Sequence, residues 1–171
     1  LRAQGRDREA TAIGAEFFDR LTESTDFLDI TRWVLIEVVE AAFAAGDDAA
    51  VRRSLDTVSQ RLSPNRAPIV HAHVARFRAR LAAVDGREAD VTASSRDAID
   101  FFQRREMPFW LAVSRLEFGE WLAARGRMAE ATEQLTEARI TFEGLRAVPW
   151  IDRVDNAGKA RAISEQARPA V

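Results

Sequence analysis

Cysteine is absent from the 171 residues, which removes disulfides, thiolate nucleophiles and thiolate metal sites together. Tyrosine is missing as well, and glycine and proline are scarce at 8 and 5 residues, a composition that favours helix over sheet. Twenty-five Lys and Arg stand against 27 Asp and Glu, so a net charge of −2 supplies no bulk field for nucleic acid or an anionic membrane. No apolar run approaches the ~20 residues that span a bilayer, and the start, Leu1 to Gly5, has neither an initiator Met nor a signal-peptide layout. A reducing, cytoplasmic setting is the expectation.

What the chain does carry is a repeat. Gly46, Gly86 and Gly126 lie forty residues apart, each closing an alanine-rich apolar run, and Gly5 falls one period upstream. Repetition of this length predicts an α-solenoid, in which each unit packs on its neighbours. Shifts of 41, 40 and 40 residues superpose Ala10, Val51, Val91 and Ala131, then Phe17, Val58, Ala98 and Ala138, then Leu21, Leu62, Phe102 and Phe142. These columns form one apolar helical stripe, the core face of the second (B) helix of each unit. The first (A) helices precede the glycines, and Pro68, Pro108 and Pro149 punctuate their starts. Thr25-Asp26 offers a side-chain N-cap at the matching place in the first unit.

The pattern predicts helices over 6–23, 27–45, 48–62, 68–84, 87–105, 109–125, 128–146 and 150–166. They group into one domain, 1–171, with repeats at 1–26 (partial), 27–67, 68–107 and 108–148, and a polar or frayed cap at 149–171. Gly5 sits in the turn of a hairpin whose first helix would lie upstream, so the chain reads as a fragment of a longer protein.

Gly119, Leu122, Gly126, Ala131, Leu135 and Ala138 fall at the spacings of the tetratricopeptide repeat, which they resemble, although the period is forty rather than the usual ~34. In the earlier units Ala79 and Val39 replace Gly119. The segments Glu-Phe-Gly-Glu-Trp-Leu-Ala-Ala-Arg-Gly-Arg and Ala-Arg-Ile-Thr-Phe-Glu-Gly-Leu-Arg-Ala-Val-Pro-Trp look like the C-terminal repeats of large bacterial signalling ATPases. That group includes nucleotide cyclase–ATPases and LuxR-type or maltose-regulator transcription factors. The resemblance, best over Pro68 to Arg153, implies a right-handed superhelical stack of hairpins serving as a regulatory or protein-binding tail, with no catalytic module in this chain.

Chemistry is thin. No Gly-x-x-x-x-Gly-Lys-Ser/Thr loop occurs, and Gly158-Lys159 lacks the rest of that pattern. His71 and His73 diverge by about 200° on a helix and cannot share a metal; one is expected to face solvent and the other a groove. Asp47-Asp48 and Glu16/Asp19 sit where helix N-termini and solvated faces want negative charge. No catalytic residue, cofactor or metal site is expected, nor direct nucleic-acid or membrane binding.

The resemblance implies a concave face drawn from Trp33, Ile36, Glu40 and Phe43, then His73, Arg76 and Arg80, then Val113, Leu116 and Glu120. Glu40, Arg80 and Glu120 share one repeat position, which fits either an ion-pair ladder between helices or arginines that anchor a partner's carboxylate. Trp110 and Trp150 read as packing, whereas Trp33 is irregular in spacing and open to a binding role. The expected partner is a protein, a peptide or another domain of the parent chain. A small-molecule effector-sensing domain is the alternative, and homodimerisation through Phe17, Phe18 and Leu21 a third.

Overall fold

The computed structural model describes residues 4–20 and 28–166. Among them the chain is all-α, with no strand. The helices are α1 (Asp7–Asp19), α2 (Leu28–Ala44), α3 (Asp48–Arg61), α4 (Pro68–Val84), α5 (Glu88–Arg104), α6 (Pro108–Ala124), α7 (Met128–Gly144) and α8 (Val148–Gln166). From α2 onward each starts twenty residues after the last. Leu21 and the Thr25-Asp26 cap lie outside the described residues.

Local chemistry accounts for the boundaries. Pro68 and Pro108 occupy the first helical turn, where the missing N–H is not needed. Asp47 caps α3 by accepting the Ala50 N–H at 2.8 Å. The turns after α2, α4, α5, α6 and α7 close alike. In each, one N–H reaches back three residues and the next reaches back five, as in Gly126 to Ala123 at 3.0 Å and Arg127 to Leu122 at 3.0 Å. This Schellman pattern needs a left-handed residue. Gly46, Gly86 and Gly126 supply it at φ 67°, 72° and 74°, while Glu106 and Arg146 do so without being glycine, at 51° and 54°.

The chain divides into two compact units, Leu1–Asp90 and Val91–Val171. In the first, Leu35 and Val39 of α2, Val51, Leu55 and Val58 of α3, and Val74 and Phe77 of α4 are almost fully buried. Gly14 lets α1 approach α2 so closely that a Cβ there would fall inside the Val38 side chain. Phe18, not Phe17, is the buried aromatic of α1, so α1 keeps step with α3 by forty residues rather than 41.

In the second unit Ala112, Val113 and Leu116 of α6 pack with Leu135, Ala138 and Phe142 of α7 and Val154 of α8. Trp150 stacks on Phe142 at 5.5 Å and meets Phe109 edge-on at 5.5 Å, the packing role anticipated for it. Gly119 faces Leu135, and a Cβ would stand 2.9 Å from two of its carbons. The segment after Pro149 is continuous helix to Gln166.

Candidate functional site

Glu40 and Phe43 are one turn apart on α2, and His73, Arg76, Phe77 and Arg80 follow helical spacing on α4, so two stripes can meet where these helices pack. They meet through a shared carboxylate. Arg76 Nη2 donates to Glu40 Oε1 at 2.6 Å and Arg80 Nη1 donates to Oε2 at 2.8 Å. Aromatic faces take up the cations. The Arg80 guanidinium lies 4.1 Å from the Phe43 centroid, Arg76 lies 4.5 Å from that of Phe77, and the two rings are 6.4 Å apart.

Burial makes this cluster more than a surface ion pair. The Arg76 side chain is 3% exposed, against 20% for Glu40 and 28% for Arg80. Desolvation alone would raise the Glu40 carboxyl, but the Arg76 and Arg80 guanidiniums outweigh it and hold the group below its ordinary range. His73 is fully buried, and burial, with Arg76 and Arg32 nearby, pushes it down to about 3. Its imidazole is therefore neutral at physiological pH. His71 donates from Nε2 to the Leu62 carbonyl at 2.7 Å and is half-buried. The expectation that one histidine faces solvent is thus corrected: one lies in the core and the other bonds to the backbone.

The remaining positions separate by burial. Ile36, Val113 and Leu116 are core residues, as are His73 and Arg76, so none of them offers a surface to a partner. Trp33 is 54% exposed, with the Arg32 guanidinium 5.0 Å from its ring. Ile30, one turn before it, is equally open at 50%. Phe43, Glu40 and Arg80 are half-buried. Glu120, in the second unit, accepts from Arg153 Nε at 2.8 Å and Nη2 at 2.6 Å. Glu40 thus bridges α2 to α4 and Glu120 bridges α6 to α8, each acid bonding arginine from a later helix.

Two features escaped the sequence reading. One is the depth of Arg76, which an alternating run of arginines does not reveal. The other is a cleft of about 830 Å³ between α1 and α3, lined in part by Arg8, Ala12, Ala50 and Arg53. Its only trace in the sequence is the smallness of the alanines. Among the described residues no group of His, Asp and Glu could hold a metal ion, and no helix is long and apolar enough to cross a membrane. No family model, curated protein or solved structure matches this chain.

Proposed function

We propose that the chain is a non-catalytic scaffold, a right-handed stack of tetratricopeptide-like hairpins, that binds a protein or peptide segment or another domain of its parent chain. Its setting would be the regulatory tail of a larger cytoplasmic signalling or transcription-regulating protein. Support for the stack comes from helix starts that recur every twenty residues and from the common hydrogen-bond pattern of the turns.

The observation that carries the binding role is an exposed indole on a braced helix. Trp33 and Ile30 lie open on α2, and that helix is held to α4 by the Glu40 bridge and the Phe43–Arg80 contact. An exposed aromatic on a pre-ordered element costs little entropy when it is buried by a partner. Arg80, partly exposed on α4 where it meets Glu40 and Phe43, adds a charge-assisted donor.

Panning a displayed heptapeptide library on the immobilised protein tests this. A recurrent motif should emerge whose affinity falls about tenfold or more in Trp33→Ala or Arg80→Ala. The melting temperature of Trp33→Ala should stay close to that of the parent, whereas Arg80→Ala, which also removes a bond to Glu40 and the contact with Phe43, should lower it. Absence of enrichment, or a motif indifferent to both substitutions, would overturn the assignment of this face.

A further inference from the structure

The cleft between α1 and α3 is long rather than round. Its lining runs from Arg8 to Phe18 on one helix and from Asp47 to Gln60 on the other. Gly5, Glu9 and Ala45 together border an adjoining depression, which places the start of α1 beside the turn that begins α3. The two helices therefore run in the same direction, and the cleft follows them for about 15–20 Å at ~1.5 Å per residue. An extended chain advances ~3.3 Å per residue, so about four to six residues fit end to end.

Small side chains make the floor. Ala12, Ala15 and Ala50 leave room that larger residues would fill, with Phe18 and Ser54 buried beneath. Thr57 and Gln60 provide donors and acceptors of the sort that an extended backbone lacks within itself. Charge then selects the occupant. Asp47 is engaged by the Ala50 N–H, and Asp56 lies 4.0 Å from Arg78. Arg8 and Arg53 are exposed, and among the described residues neither makes an ion pair. Asp47 and Asp56 keep their charge, but Arg8 on α1 and Arg53 on α3 put one cation without an ion partner among the described residues on each wall of the cleft.

We infer that this groove docks a short, extended acidic segment of a partner protein, its carboxylates taken by Arg8 and Arg53 and its apolar side chains laid on the alanine floor. The surface is distinct from the Trp33 face of α2, and each can fail without the other.

The probe is a fluorescein-labelled, end-blocked hexapeptide of alternating leucine and glutamate, with the leucine–glutamine peptide as control, read by anisotropy on the whole chain. The glutamate probe should bind, and the glutamine control should bind about tenfold more weakly or not at all. Arg8→Gln with Arg53→Gln should cost at least about tenfold in affinity while leaving the melting temperature unchanged, because both side chains are solvent-exposed. Ala12→Trp, also at an exposed site, should block the groove, whereas Trp33→Ala should leave probe binding intact. Failure of the glutamate probe to bind, equal binding of the glutamine control, or indifference to the double arginine variant would overturn the inference. Complete displacement by succinate at matched carboxylate concentration would assign the cleft to small organic anions instead.

Discussion

Glu106 and Arg146 hold positive φ at the same hydrogen-bonded position where Gly46, Gly86 and Gly126 sit in the other turns. For a residue with a Cβ this conformation costs roughly 1–2 kcal/mol. Glu106→Gly should therefore stabilise the protein by about 0.5–1 kcal/mol after the added freedom of the unfolded chain is subtracted, and raise the melting temperature by about 1–4 °C. Gly126→Ala should lower it by a similar amount. Thermal unfolding followed by circular dichroism decides, and an unchanged melt in both would show that the turns carry no strain. The glycine turns were legible because glycine announces a left-handed residue. Glu106 and Arg146 were not, since neither residue type signals that backbone state.

At the scale of elements, two glycines set how closely helices approach. At Gly14 a methyl group would enter Val38, whose β-branched side chain has little rotamer freedom and is almost fully buried. Gly14→Ala should cost about 2 kcal/mol or more in urea unfolding, although alanine is the better helix former by ~1 kcal/mol. At Gly119 the neighbour is Leu135, whose Cγ and Cδ2 would stand 2.9 Å from the added carbon rather than the 1.9 Å at Val38, so Gly119→Ala should cost less than Gly14→Ala. Equal costs at the two sites would refute the close-approach argument. Helix starts and the B-helix core columns were readable from the sequence: Val51, Val91 and Ala131, with Val58, Ala98 and Ala138, are all buried. The A helices were harder. Residues such as Ile36, Val113 and Leu116 lie on helices apolar around most of their circumference, and periodicity does not tell a core face from an open one when both are apolar. Their expected place on a concave surface came from the resemblance, and burial moves them inside.

For the whole molecule, stability should bend with pH in a window set by His73. Its folded value of about 3 lies below the ordinary 6.5, so the unfolded chain takes up a proton that the folded chain refuses. The contribution is complete above pH 6.5 and is lost progressively as pH falls towards 3. Between pH 7 and 5 the loss should be about 2 kcal/mol, and His73→Gln should flatten that slope. Parallel slopes in parent and variant would exclude His73 as the cause. The held-down carboxyls of Glu40 and Asp85 act in the same sense at lower pH. None of this was visible in the sequence, because burial of a histidine depends on what other helices bring against it.

The exposure of Trp33 has an optical consequence. Trp110, Trp121 and Trp150 are half-buried, so a water-borne collisional quencher meets the Trp33 indole first. The protein thus comes with its own emitter on one helix face, and shielding of that emission registers contact there without any dye.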